Sequence, residues 1–318
     1  MVKVFRDVAG PCLAPGGSVV AVGAFDGLHR GHRALLGRVR ERAAERRLLP
    51  IAVSFEPLPR QFFARGEPLP RLASLREKLA GFAEAGIERV LLLRFDAKLA
   101  AMPAETFVRE VLAARLGARE IWVGEDFRFG HKRGGDLGLL RRMGGELGFA
   151  AHALAPVLAD GERVSASRIR ALLAAGEFAH AARLLGHPFA IGGRVVRGER
   201  LGRKLGYPTA NVRLGRRVAP VGGIFAVRVR GAGEAGWPGV ASLGVRPTVD
   251  GREPLLEAHL FDFDDDLYGR RIEVEFVAKL RDEEKFPDLD ALKRQMDRDA
   301  AEARRLLGVA HAAAGART

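Results

Sequence analysis

A chain of 318 residues can bury one large or two medium cores, and 47% hydrophobic with 29% charged residues excludes a disordered or fibrous protein. The net charge of +13 favours anionic partners, but only eight of the 52 basic residues are Lys and no basic tract alternates with aromatics, so phosphate-bearing metabolites are expected rather than nucleic acid. No apolar run approaches the roughly 20 residues that span a bilayer, no basic signal-like segment opens the chain, and the lone Cys12 can form no internal disulfide; a cytoplasmic protein with no membrane partner is expected.

In chain order, Val19 to Phe25 predicts a short apolar strand that Asp26 stops, and Arg33 to Arg47 a helix with Leu36, Val39 and Ala43 on one side. Pro50 to Phe55 is strand-like. Leu72, Leu75, Leu79 and Phe82 recur at helical spacing before a strand at Arg89 to Phe95, and Phe107, Val111 and Leu112 mark a helix before a strand at Glu120 to Gly124. This β-α-β-α-β-α-β alternation predicts an α/β half with a mostly parallel sheet. Ligands then belong at the carboxyl ends of its strands. Helices follow at Ser167 to Ala175 and Phe178 to Leu185, and the boundary is placed after Gly186, giving domains 1–186 and 187–308.

Beyond it, short β-rich runs at Ile191 to Arg197, Ile224 to Arg230, Val240 to Val245, Leu256 to Phe263 and Ile272 to Leu280 are punctuated by Gly and Pro. They predict an antiparallel barrel or compact sheet. Leu289, Leu292, Met296, Ala300 and Ala303 form one face of a terminal helix packed on it, and 309–318 form a frayed tail. Gly231 to Gly236 matches the dinucleotide glycine pattern, but Trp237 and Pro238 stand where a helix should begin, so a hairpin connection is expected.

The strongest motif is Gly23-Ala24-Phe25-Asp26-Gly27-Leu28-His29-Arg30-Gly31-His32, between a strand and a helix. Glycines let backbone approach a phosphate, helix-start N–H groups attract it, and two imidazoles three residues apart add donors. Such a corner can stabilise charge on ATP while its α-phosphorus is attacked. Further along, Pro208-Thr209-Ala210-Asn211 follows a glycine-rich turn and offers oxygen atoms to phosphates and a hard cation.

GAFDGLHRGH at 23–32, SFEPLP at 54–59, GEDFRFG at 124–130 and SASRIR at 165–170 together resemble the adenylyltransferase half of the bifunctional riboflavin kinase/FAD synthetase family. SLGVRPT at 242–248, LEAHLFDF at 256–263, DLYG at 266–269 and LRDEEKF at 280–286 are similar to its kinase half. The resemblance implies a Rossmann-like nucleotidyltransferase domain, then a β-barrel riboflavin kinase domain, using ATP and Mg2+ to make FMN from riboflavin and FAD from FMN. It implies nucleotide contacts for Gly23, Phe25, Asp26, Gly31, Ser165 and Ser167, with His29, His32 and Arg168 at the reacting phosphate. Asp126, Phe127 and Phe129 would line the flavin, with the inward-facing ring left open. Thr209 and Asn211 would hold metal and phosphate, and Glu257 would be the general base toward the riboflavin 5′-hydroxyl. Two departures stand out: Leu58 where His is common, and Ser242 where Asn is common.

Overall fold

The computed structural model describes residues 2–64, 69–198, 202, 205–214, 218–233, 236–248 and 251–309. Contacts divide the chain into one unit of Met1–Leu69 with Ala73–Ala166 and another of Pro70–Leu72 with Ser167–Thr318.

The first unit is built on strands β1 (Lys3–Phe5), β2 (Ser18–Val22), β3 (Leu49–Glu56), β4 (Arg89–Arg94), β5 (Ala118–Gly124) and β6 (Ala150–Leu154). They run parallel in the order β1-β4-β3-β2-β5-β6. Both faces of β2, β3 and β4 are buried along most of their length, which is why these strands read as nearly unbroken apolar runs. Val20, Val22, Ile51, Val53, Leu91 and Leu93 join one core with Val111 and Leu112, whereas Val19, Ala21, Ala52, Val90 and Leu92 join another with Leu36, Val39 and Phe82. The short β1 and the alanine-rich β6 were not expected. The segment marked by Phe107, Val111 and Leu112 is π-helical over Phe107–Arg115. A small hairpin of β7 (Leu158–Ala159) and β8 (Glu162–Arg163) follows the sheet.

The second unit opens with helices Ala166–Ala174 and Phe178–Leu185. Its strands β9 (Ala190–Val196), β10 (Ala210–Arg213), β11 (Gly223–Arg230), β12 (Trp237–Thr248), β13 (Gly251–Leu260) and β14 (Arg271–Arg281) close into a barrel in the order β10-β13-β12-β11-β14-β9. Every pair is antiparallel. β10 was hidden in sequence because only four residues carry it. Residues 231–236 join β11 to β12, with Glu234 and Ala235 outside the described residues, as are residues 310–318 of the expected tail. On the final helix, Leu289–Leu307, Ala300, Ala303 and Leu307 pack with Ala226 and Phe261 of the barrel. Its apolar face is shorter than its sequence pattern, since Leu289 is 56% exposed.

Candidate active sites

In the first sheet β2 lies between β3 and β5, so the chain winds one way from β2 and the other way to β5. In open α/β sheets ligands bind at such a reversal, here at the carboxyl ends of β2 and β5. The loop after β2 holds the histidine motif. β2 stops at Val22, and the next helix begins at Arg30, three residues before the expected start. His29 is therefore its N-cap, and its Nδ1 accepts a hydrogen bond from the His32 N–H at 3.3 Å. An accepting Nδ1 puts the His29 proton on Nε2.

The two imidazoles stack with centroids 3.7 Å apart and planes 16° from parallel. A side chain at Gly31 would meet the His29 ring at 3.3 Å, and one at Gly23 would meet the Phe25 ring at 3.2 Å, so glycine is what lets both rings close over the backbone. Phe25 is fully buried, 5.1 Å from the rings of both His32 and Phe82. Asp26 is buried, and its Oδ1 accepts from the Ala73 N–H at 3.2 Å. These two residues shape the loop from beneath.

The Nδ1 of His32 is cut off from solvent and has no hydrogen-bond partner among the described residues. Burial first, then the neighbouring His29 and the charge of Lys78, hold the His32 pKa well below the usual 6.5. The unfolded chain then takes up a proton near pH 6.5 that the folded chain refuses, so this site contributes stability above that pH and loses it as pH falls below. The melting temperature of the first unit is expected to drop between pH 7.5 and 5.5, and to drop less in His32→Gln. Equal drops in thermal scans of the two proteins would remove this role.

Lys78 went unnoticed in sequence. Its side chain is fully buried, with Nζ donating to the Ala24 carbonyl at 3.0 Å, the Ser54 hydroxyl at 3.4 Å and the Phe55 carbonyl at 3.4 Å. Its position was legible: 75, 78, 79 and 82 fall on one helical face.

Of the residues after β5, exposed Asp126 pairs with Arg163. Phe127 and Phe129 stack with centroids 5.4 Å apart, and Phe129 is the inner ring, 8% exposed and packed beside Phe107. A second aromatic group, unforeseen in sequence, gathers at the ends of β3 and β4. Phe95 lies 5.4 Å from Phe62, 5.7 Å from Phe63 and 5.8 Å from Phe55, with Phe62 and Phe63 left 39% and 62% exposed. Leu58 is itself buried at 2% exposure. The carbonyl of Val164, just before half-buried Ser165, would lie 3.9 Å from a side chain at Gly31. Ser167 and Arg168 are exposed in the first turn of the helix Ala166–Ala174, which groups by contacts with the second unit.

In the second unit, register builds the site. Glu257 pairs with Asn211 on one side and Ser242 on the other, so three polar residues form a row across β10, β13 and β12. Alternation along β13 buries Leu256, Ala258 and Leu260 on one face and sends Glu257 and His259 to the other. There they line a cavity of about 230 Å3 with Thr209, Ser242, Ile224, Val240, Leu292 and Met296, and with Arg281, whose guanidinium binds buried Asp299 at 2.8 Å. The Oγ1 of Thr209 stands 3.5 Å from Glu257 Oε1. The His259 Nδ1 stands 2.8 Å from the Pro208 carbonyl, and burial lowers the His259 pKa.

A second, more polar hollow of about 590 Å3 is lined by Ala210, Ala258, Leu260, Arg197, Tyr268 and the acidic run at 264–266. Within that run, Asp265 and Asp266 accept the N–H groups of Asp266 and Tyr268 and so hold a turn. The two hollows take alternate residues of β13 and share Thr209. The Asn211 amide lies over Gly198, where a side chain would come within 2.5 Å of it.

A family model described as FAD synthetase matches residues 13–168, and one described as riboflavin kinase matches 185–307. The chain is 46% identical over 308 residues to a bifunctional riboflavin kinase/FMN adenylyltransferase of Escherichia coli K12, covering 96% of this chain and 98% of the relative. It is 47% identical over 291 residues to the protein of that name from Pseudomonas fluorescens, covering 91% and 93%. A crystal structure described as a macrolide-efflux protein from Streptococcus pneumoniae is similar at 28% identity and a TM-score of 0.79, covering 96% of this chain and 99% of that one. No helix among the described residues is long and apolar enough to cross a membrane. With both family models matched in succession and identity sustained across almost its whole length, the chain belongs to the bifunctional riboflavin kinase/FMN adenylyltransferase family.

Proposed function

We propose that this chain makes both flavin cofactors in sequence: riboflavin and ATP give FMN and ADP at the barrel, then FMN and ATP give FAD and pyrophosphate at the parallel sheet. The kinase module is placed at 187–308, the adenylyltransferase module at 1–186, and the enzyme in the cytoplasm. The observation that carries this most is the pair of hollows sharing Thr209, one largely apolar and backed by a carboxylate, the other polar.

The apolar hollow suits the flavin ring, with its 5′-hydroxyl at Glu257. That carboxylate takes the proton as the hydroxyl oxygen bonds to the γ-phosphorus and ADP leaves. Thr209 and Asn211 offer oxygen atoms, which suit Mg2+ together with ATP phosphates. The described residues contain no cluster of three His, Cys, Asp or Glu to compete for the metal. When bound, Mg2+ supplies charge neutralisation to the phosphates.

At the sheet, an oxygen of the FMN phosphate attacks the α-phosphorus and pyrophosphate leaves, so no protein nucleophile is needed. His29, His32 and Arg168 stabilise the developing charge, the unpartnered Nδ1 of His32 being a polar atom that awaits a partner. Gly23 and Gly31 give close approach, Phe25 and Asp26 support the loop, and Ser165 and Ser167 add hydroxyls to the phosphates. Asp126, Phe127 and Phe129 lie on the flavin side, joined by the exposed rings of Phe62 and Phe63. The test is chromatography of products from riboflavin and MgATP, with both FMN and FAD expected. FMN without FAD would contradict adenylylation; FAD from supplied FMN but none from riboflavin would remove the kinase.

A further inference from the structure

Burying an ammonium costs several kcal/mol unless its donors are all answered. A site that needed only filling would be served by Met or Leu. Lys78 nonetheless sits fully buried on the apolar face of the helix Leu75–Glu84, and its Nζ donates to two different segments: Ala24 after β2, and Ser54 and Phe55 at the end of β3. The Ser54 hydroxyl also donates to the Ala24 carbonyl at 3.2 Å, so Nζ, Ser54 and Ala24 close a small ring of hydrogen bonds, with the Phe55 carbonyl accepting from outside it. The carboxylate of Glu56 stands 3.9 Å away.

The same helix grips the histidine loop at other points. Ala73, just before it, binds Asp26; Phe82 meets Phe25 edge-on; and Gly81 lies so close to Leu28 that a side chain there would come within 2.4 Å of its Cδ1. The loop needs holding, because Phe25, Gly27 and Leu28 all adopt positive φ, at 50°, 76° and 43°. For Phe and Leu that conformation is strained.

We propose that Lys78 is a positioning residue for adenylyl transfer: its ammonium ties Ala24 to Ser54 and Phe55, fixing the loop that sets the places of His29 and His32. The proposal rests on adenylyl transfer occurring at this loop. The Lys78 side chain has no exposed surface to offer a substrate, so its loss lowers turnover more than binding. In full-length Lys78→Met, kcat for FAD formation from FMN falls about 10²-fold, the loss expected of a misplacement near 1 Å. The KM values for ATP and FMN stay within about threefold, and riboflavin phosphorylation by the same sample within about twofold.

Ser54→Ala deletes one hydrogen-bond acceptor of Lys78 without emptying the site, and its kcat falls about tenfold with KM unchanged. It decides the matter if Lys78→Met does not fold. Unaltered kcat in a folded Lys78→Met, or in Ser54→Ala, overturns the proposal, as does a rise in KM with kcat preserved. Wild-type protein that makes no FAD would instead overturn adenylyl transfer at this loop, and the role of Lys78 with it.

Discussion

Replacing Glu257 by Gln lowers riboflavin phosphorylation by about 10³-fold, within the range assigned to general-base catalysis, and leaves conversion of FMN to FAD intact. The expectation follows from register. Asn211 and Ser242 flank Glu257 across neighbouring strands, and the cavity that Glu257 lines is backed by the apolar side chains Ile224, Val240 and Met296. A hydroxyl held beside Glu257 meets a carboxylate that can take its proton. Gln keeps the volume and the hydrogen-bonding reach, but it cannot take the proton. The row Asn211-Glu257-Ser242 should survive, with the melting temperature nearly unchanged. Both rates are measured on one preparation, and a variant that phosphorylates riboflavin within tenfold of wild type would take the base role from Glu257.

The second large effect belongs to His29. Its Nδ1 is already committed to the His32 N–H, and its ring stacks on His32 at 3.7 Å, so the residue is a helix cap as well as a proposed phosphate ligand. His29→Asn separates the two roles, because Asn is a good N-cap and retains an acceptor while losing the imidazole. Turnover from FMN to FAD should fall about 10² to 10³-fold, the cost of losing a donor aimed at developing charge. Riboflavin phosphorylation should not change. Stability should stay within about 1 kcal/mol of wild type, since the cap is preserved. If His29→Asn instead retained turnover and lost stability, the residue would be a cap alone.

How much of this could be read beforehand depended on how local the physics was. The central strands β2, β3, β4 and β5 were legible because burial on both faces makes them continuous apolar runs. β1, β6 and β10 were not, being three, five and four residues long, with pairing partners distant in sequence. The histidine motif was legible because its residues are neighbours. That His29 caps the helix was not, since the helix begins three residues before its apolar pattern becomes visible. The inner place of Phe129 over Phe127 depended on packing against Phe107, which sequence does not encode locally. Lys78 was a missed signal of a simpler kind: a cation on an apolar helical face marks a buried partner set. The cavity that Glu257 lines was least legible, because cross-strand register and side chains from Leu292 and Met296 build it, far from Glu257 in the chain.

Barrel closure bears on how copies of this protein behave at high concentration. With β9 and β10 joined to each other, the described strands of the second unit form a closed ring without a vacant row of backbone donors and acceptors, the template on which misassembly by strand addition grows. The borders of the parallel sheet are β1 and β6, one three residues long and starting with Lys3, the other five residues long and interrupted by His152. Both are poor seeds, so high protein concentration should leave this chain resistant to fibril-like association.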